Sequence, residues 1–228
     1  MMSTFEKTVK RCLDSAVSFS VLCCAAPVLL GIALAIRSTM GSPVLFRQQR
    51  PGFNGRPFYL NKFRTMRHPR PGEENAACDG LRITRLGKFL RSTSLDELPA
   101  LLNVLTGEMS LVGPRPLLMQ YLDRFTPEQA RRHEVKPGIT GWAQVNGRNT
   151  ITWEEKFSFD VWYADHQSLW LDLRILGMTA GKVLKREGIS HGSEATMPEF
   201  MGSKAAPERS RSSHSWPVQA GQKEKARR

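Results

Sequence analysis

Apolar and polar positions divide this chain into three unequal stretches. The first holds 22 uncharged residues between Asp14 and Arg37, SAVSFSVLCCAAPVLLGIALAI, enough to cross a bilayer as a helix. The second, to about residue 202, alternates short apolar runs with turn residues. The third, SKAAPERSRSSHSWPVQAGQKEKARR, is polar and aperiodic and reads as disordered. The pattern sets boundaries at 1–38, 39–202 and 203–228.

Within the middle stretch, PVLFRQQRPGFNGRPFYLNKFRTM at 43–66 places aromatic and branched residues on both sides of Asn54-Gly55. That pattern predicts a β-hairpin. A polar loop follows over 67–80, then short helices over 85–91 and 95–105. Ser94 and Glu97 have the spacing of a capping box before the apolar run LPALLNVL. TGEMSLVGPRP reads as a turn and a short extended segment. Thr126 is a helix N-cap, with Pro127 at the first helical position. KPGITGWAQVNGRNT carries turn signals around an extended core. Two helices close the stretch, Trp153 to about Asp165 and Leu169 to Arg186, the second with Trp170, Leu173, Gly177, Ala180 and Leu184 on one face. Trp162, Tyr163 and Trp170 read as core, with a membrane interface as the alternative. The elements predict an α+β, mostly helical fold with a small β-hairpin.

The N-terminal run admits three readings. A cleaved signal peptide needs a shorter apolar core. A spanning helix carries its Lys/Arg excess on one side, whereas here Lys7, Lys10 and Arg11 precede the run and Arg37, Arg47 and Arg50 follow it. Pro27 near the middle removes a helical hydrogen bond, which suits a re-entrant helix broken there. The residues alone leave span and hairpin equally open.

Charge narrows the partners. With 33 Lys/Arg against 21 Asp/Glu the formal charge is +12, and the tail holds seven of the basic residues and two of the acidic ones. Such a balance points to nucleic acid, phosphorylated substrates or an acidic membrane. The four cysteines (Cys12, Cys23, Cys24 and Cys78) form neither a disulfide framework nor a metal spacing, as expected of a reducing cytoplasm. No Walker or dinucleotide fingerprint occurs.

In this basic chain RSTSLDELP sets two adjacent carboxylates, Asp96 and Glu97, among cations: Lys62 and Arg64 in KFRTM, Arg91, Arg115 between two prolines, and Arg148 after Asn146-Gly147. Each cation alone is an ordinary surface charge. Together, on rigid turns around one acidic pair, they suit a polyanion, since a guanidinium grips phosphate with a planar fork.

KFRTM, RSTSLDELPALLNVLTGEMSLVGPRPLL and RHEVKPGITGWAQVNGRN together resemble the bacterial sugar transferases, the monotopic phosphoglycosyl transferases, in the family's order from about Lys7 to Phe200. KVLKREGISHGSEATMPEF resembles its small single-domain members. The resemblance implies an enzyme that transfers a sugar 1-phosphate from a UDP-sugar to undecaprenyl (polyprenyl) phosphate and releases UMP, the first membrane step of glycan assembly. It implies Asp96 as nucleophile, Glu97 as ligand of Mg²⁺, and Lys62, Arg91, Arg115 and Arg148 as phosphate-binding or structural residues. The helix start near Ser94 would add amide dipoles toward the same anion. The family further implies a re-entrant helix with both ends in the cytoplasm, on the inner membrane's lipids. Its break is a Ser-Pro pair; here the pair is Ala26-Pro27. A homodimer is compatible with this picture; a nucleic-acid partner is not expected. The rivals are a membrane-anchored nucleic-acid binder and a non-catalytic scaffold of the same fold. The sugar stays open among galactose, glucose and N-acetylated amino sugars such as diacetylbacillosamine.

Overall fold

The computed structural model describes residues 2–73, 79–147, 151–184 and 199–203. Cys78, Arg148, the end of the last predicted helix and the basic tail lie outside the described residues. In chain order the helices are α1 (Thr4–Met40), α2 (Asp79–Arg82), α3 (Arg85–Ser92), α4 (Leu101–Thr106), α5 (Pro127–Ala130), α6 (Trp142–Asn146), α7 (Trp153–His166) and α8 (Leu169–Leu184). The strands are β1 (Leu45–Pro51), β2 (Pro57–Phe63), β3 (Ser110–Val112) and β4 (Gly138–Thr140). The α+β, mostly helical expectation holds.

The apolar N-terminus becomes one helix of 37 residues, about 55 Å long at the usual rise of ~1.5 Å per residue. Ser3 and Glu6 close its start as a reciprocal capping box. By length and composition α1 qualifies to cross a membrane. Pro27 lies inside it, with helix on both sides. The Ala26-Pro27 position therefore does not divide the segment into two helices: a proline deletes one hydrogen bond, and a long helix survives that loss.

Both ends of α1 are tied to the same folded body. Near its start Lys10 Nζ donates to Asp172 Oδ2 on α8 (2.5 Å), and Asp14 accepts from Ser110 Oγ on β3 (2.7 Å). Arg11 donates to the carbonyls of Val104 and Leu105 (the latter 2.6 Å), groups that the end of α4 leaves without helical partners. Near its other end Ile32 and Ile36 are buried with Phe63 and Leu90. Arg64 closes the C-terminus by donating to the carbonyls of Met40, Gly41 (2.7 Å) and Ser42 (3.0 Å). Arg64 is thus no surface charge: it is buried on backbone oxygens. Between these anchors one face of α1 stays open, with Leu13, Val17, Phe19, Val28, Leu30 and Leu34 exposed.

The hairpin forms as the sequence predicts. β1 and β2 pair antiparallel from Leu45↔Phe63 to Pro51↔Pro57, around a turn in which Asn54 and Gly55 take positive φ. Ladder partners Gln48↔Leu60 and Phe46↔Lys62 put Lys62 on the hairpin face that buries Phe58 and Leu60. β3 and β4 pair in parallel, Ser110↔Gly138 and Val112↔Thr140. Beyond β4 the expected extended segment turns into α6.

α8 corrects one expectation. Trp170, at 77% exposure, and Leu173 face outward, as do Gly177 and Ala180, while Leu171, Asp172 and Ile175 are buried. The periodic stripe was real but is not the core stripe: the buried face carries Asp172, which holds Lys10 and accepts from the Tyr163 hydroxyl (2.6 Å). Tyr163 is core as expected; Trp162 stacks on Trp142 and His166.

An aromatic cluster closes the molecule near its C-terminal end. Phe200, 2% exposed, packs among Tyr121, Phe125, Trp153 and Phe157. Arg124 fastens the same segment through Glu199 (2.9 Å) and the Phe200 carbonyl. Phe200→Ala is expected to destabilise the protein by about 3 kcal/mol or more, the usual cost of emptying a buried aromatic site. Denaturant unfolding of the detergent-solubilised protein measures it; a loss under ~1 kcal/mol would contradict the packing described.

Candidate active site

The acidic pair sits where the chain changes from α3 to α4. Thr93 caps α3, and Ser94 turns left-handed at φ 57°. The chain then winds as a 3₁₀ turn, Leu95–Ala100, carrying both carboxylates. The capping box predicted here is absent. Ser94 gives no side-chain cap, and Glu97 cannot reach back to it because its carboxylate is drawn elsewhere. Nor does a long helix start here to aim amides at an anion: α4 has six residues and follows the 3₁₀ turn.

Two buried contacts fix this turn against the hairpin. Asn103, 1% exposed, accepts from the Asn61 backbone and side chain (3.0 Å each) and donates to the Tyr59 carbonyl (2.8 Å) and Glu108 (2.7 Å). It holds β2 on α4 and so brings Lys62 to Glu97. Gly87 in α3 lets the helix lie on Thr65, whose carbonyl a Cβ would meet at 1.9 Å.

Glu97 is gripped by two cations. Its Oε1 accepts from Lys62 Nζ (2.7 Å) and from Arg115 Nη2 (2.5 Å), while Oε2 has a longer Arg115 contact at 3.5 Å. Burial alone would raise its pKa, but the charges of Arg115 and Lys62 outweigh that and hold the carboxyl well below the usual carboxylate range. Glu97 in turn raises Arg115. Lys62 goes the other way, because burial and the neighbouring Arg115 push it down more than Glu97 lifts it.

Asp96 differs from its neighbour in every respect. No hydrogen bond or ion pair to its carboxylate is found among the described residues. Burial, and then the charge of Glu97, push its pKa up, against the pull of Lys62, Arg91 and Arg115. One sequence step thus separates a doubly paired carboxylate from an unpaired one that ionises reluctantly.

Arg115 is positioned from behind. Its loop leaves β3 through Gly113, where a Cβ would meet the Lys136 carbonyl at 2.2 Å. Arg132 donates to the Arg115 carbonyl (2.8 Å) and to Asp160 Oδ2 (2.7 Å from Nη2, 3.1 Å from Nε). The Arg132 and Asp160 side chains are each 1% exposed, and the Arg132 guanidinium lies over the rings of Phe125 and Phe157. Nothing in the sequence pattern marks this pair; RRHE reads as surface charge.

The structure brings Asp96, Glu97, Lys62, Arg91 and Arg115 together on one cavity of about 2180 Å³. Arg91 is exposed at its rim and donates through Nε to Thr65 Oγ1 (3.0 Å). Arg148 falls outside the described residues, and Pro27, on α1, is not among the cavity's lining residues. Arg50, Lys156 and Gln144 are among the further lining residues that sequence reasoning missed. Arg50, placed there with the membrane flank, reaches the cavity from β1. Lys156 lies 4.8 Å from the Trp153 ring centre, and burial pushes its pKa down to about 8. Gln144 extends from α6. Strand parity placed Arg50 on the Lys62 face and was the available signal. The cavity exceeds the ~300–1,000 Å³ of a usual small-molecule site, so it has room for more than one such ligand.

Among the described residues no group of three His, Cys, Asp or Glu is arranged around a metal. An adjacent carboxylate pair nonetheless fits Mg²⁺, which takes one or two protein carboxylates and completes its shell with substrate phosphates and water. Glu97 Oε2, with only a long contact, has lone pairs to offer.

Comparison with known proteins places the chain. The bacterial sugar transferase family matches residues 5–186. The chain is 53% identical over 195 residues to the uncharacterized sugar transferase EpsL of Bacillus subtilis (strain 168), covering 86% of this chain and 96% of that protein. It is 46% identical over 169 residues to the UDP-glucose:undecaprenyl-phosphate glucose-1-phosphate transferase of Xanthomonas campestris pv. campestris, covering 69% and 35%. Over 200 residues it is 38% identical to the undecaprenyl-phosphate galactose phosphotransferase of Salmonella typhimurium, covering 80% and 42%. It therefore spans nearly all of the first relative and less than half of the other two. The matched stretch contains α1, the hairpin, the carboxylate turn and the Arg115 loop, and the chain belongs to the bacterial sugar transferase family.

Proposed function

We propose that this transferase moves a sugar 1-phosphate from a UDP-sugar to a polyprenyl phosphate such as undecaprenyl phosphate, through a covalent intermediate on Asp96. The observation that carries the reading is the split within the acidic pair: Glu97 paired with Lys62 and Arg115, Asp96 on the cavity wall without a partner among the described residues. A carboxylate left without hydrogen bonds keeps its lone pairs for attack. The names of the relatives support both substrates. Those names include glucose and galactose, so the sugar is set by features that vary within the family.

The steps balance as two displacements at one phosphorus. An Asp96 carboxylate oxygen attacks the β-phosphorus, the bond to the bridging oxygen breaks, and UMP leaves with the electron pair. A phosphate oxygen of the polyprenyl phosphate then attacks the same phosphorus, and the Asp96 carboxylate departs. Lys62 and Arg115 reduce repulsion between anionic substrate and acidic pair. Glu97 would hold Mg²⁺, which when bound supplies further charge neutralisation to the phosphates. Arg132, through the Arg115 carbonyl, fixes where that guanidinium starts.

The same reading makes the protein monotopic on the cytoplasmic face. A spanning helix would carry one end to the far side, yet Lys10 and Ile36 are held by one body. The open apolar face of α1 and the outward Trp170 and Leu173 of α8 supply the surface for the inner membrane's lipids. This arrangement speaks against a nucleic-acid binder, because the cations that distinguish the site face an acidic pair in a cavity. An inert scaffold would not need Asp96 free.

Three outcomes are expected. With a panel of UDP-sugars, Mg²⁺ and undecaprenyl phosphate, the purified protein releases UMP, and Asp96→Asn lowers the rate by at least a thousandfold. Near wild-type release from that variant would exclude Asp96 as nucleophile. Glu97→Gln also suppresses turnover and raises the Mg²⁺ concentration needed for half activity.

The pH dependence has a definite sign. Asp96 must be ionised to attack, so activity falls on the acid side at a higher pH than the ~3.9 of a free Asp. Because its folded pKa lies above its unfolded value, its ionisation destabilises the fold above that folded pKa. Asp96→Asn should therefore equal or exceed wild type in stability at pH 7, the difference shrinking as pH falls through the folded pKa and vanishing below the unfolded pKa. Chemical unfolding across pH checks this; a variant less stable at pH 7 would contradict it.

For topology, tags at residues 2 and 210 should both report the cytoplasm. A periplasmic signal from residue 2 would show a span instead. Trp170→Glu should shift protein from the membrane to the soluble fraction at high salt; unchanged partition would exclude α8 as a lipid contact.

A further inference from the structure

Arg50 is a cation of the cavity wall with no acidic partner among the described residues. Arg50 projects from β1 opposite Phe58, on the face that also carries Lys62, and lines the cavity. The charge that acts on it most strongly is another cation, Arg115, and among the described residues it has no ion pair. Its Nη2 donates to Gln48 Oε1 (2.6 Å), and its Nε is buried with no partner. Burial, and then Arg115, push its pKa down to about 10, leaving it charged at neutral pH.

This arrangement is costly in the unliganded protein. A half-buried charge without a counter-charge loses hydration that nothing replaces, and a like charge beside it adds repulsion. An enclosed, unpaired donor is rare in native structures and points to a missing partner. The two carboxylates among the described lining residues do not answer it: Glu97 is engaged by Lys62 and Arg115, and Asp96 is not among the charges that act on Arg50. Arg50, Lys62, Arg91 and Arg115, with further cations on the same lining, thus face two carboxylates, Asp96 and Glu97.

We infer that Arg50 seats a phosphate group of a bound substrate, forming with Arg115 a two-guanidinium cradle beside the acidic pair. Both guanidinium groups can present N–H forks to one phosphate or to adjacent phosphates of a diphosphate. Lys62 and Arg115 balance Glu97; Arg50 is the charge held in reserve for the ligand. The inference deepens the transfer reaction proposed above and rests on it for the identity of the phosphate, which belongs to the UDP moiety of the donor or to the polyprenyl phosphate.

The test is direct binding to the full-length protein in detergent, by calorimetry, with UDP and undecaprenyl phosphate as separate probes and Arg50→Gln and Arg50→Lys as variants. Arg50→Gln is expected to weaken at least one probe tenfold or more, with Arg50→Lys recovering part of the loss. Loss confined to UDP assigns the seat to the donor, and loss confined to undecaprenyl phosphate assigns it to the acceptor. The unliganded thermal midpoint of Arg50→Gln should equal or exceed that of wild type, because a repulsion has been removed. A midpoint several degrees lower would make Arg50 a structural residue and overturn the inference, as would affinities for both probes within twofold of wild type. The two readings fail separately. A wild type that binds UDP through Arg50 yet releases no UMP sinks the transfer reaction and leaves the seat. A wild type that turns over normally, with Arg50→Gln equal to it in both affinities, sinks the seat alone.

Discussion

The grip of Lys62 and Arg115 on Glu97 is the interaction on which the site depends. Two carboxylates one residue apart repel, and burial raises the cost of ionising both. Assigning both cations to Glu97 resolves that conflict in one direction. Glu97 becomes a fixed anion, and Asp96 is left with its lone pairs free and its proton held more tightly than usual. Had the cations been shared evenly, neither carboxylate would be available to a substrate.

Much of the fold reads as support for that grip. Asn103 ties β2 to α4 and so sets Lys62 opposite the 3₁₀ turn. The parallel β3–β4 pair, with Gly113 pressed on the Lys136 carbonyl, launches the Arg115 loop, and buried Arg132 holds its carbonyl. The same β3 carries Ser110, which binds Asp14 of α1. The long helix is therefore coupled to the Arg115 loop through one short strand, and a membrane surface lying along α1 would sit at a fixed height relative to the cavity.

How far this was legible in the sequence depended on the range of the interaction. The hairpin, α3, α5 with its Thr126 cap, and α7 follow from local turn and capping chemistry and were readable. Asp96, Glu97, Lys62 and Arg115 were recognisable because they sit in long motifs. The capping box at Ser94 was a sound local reading that lost to a tertiary one, since two cations bind Glu97 more strongly than one backbone N–H does. The α8 stripe failed for a related reason: its periodicity was real, but Lys10 and Tyr163 reward burial of Asp172, so Trp170 and Leu173 turn outward. Arg132, Asp160 and Asn103 gave no signal, because a buried polar residue is defined by partners distant in sequence, here 28 residues apart for Arg132 and Asp160.

In the proposed covalent route, Asp96 accepts the sugar phosphate before the lipid arrives. Enzyme mixed with UDP-sugar and Mg²⁺ but no polyprenyl phosphate should release a burst of about one UMP per site, as covalent catalysis requires. Intact-mass and peptide analysis of the same sample should place a sugar-phosphate adduct on the peptide containing Asp96. No burst and no adduct, with UMP appearing only when both substrates are present, would contradict it.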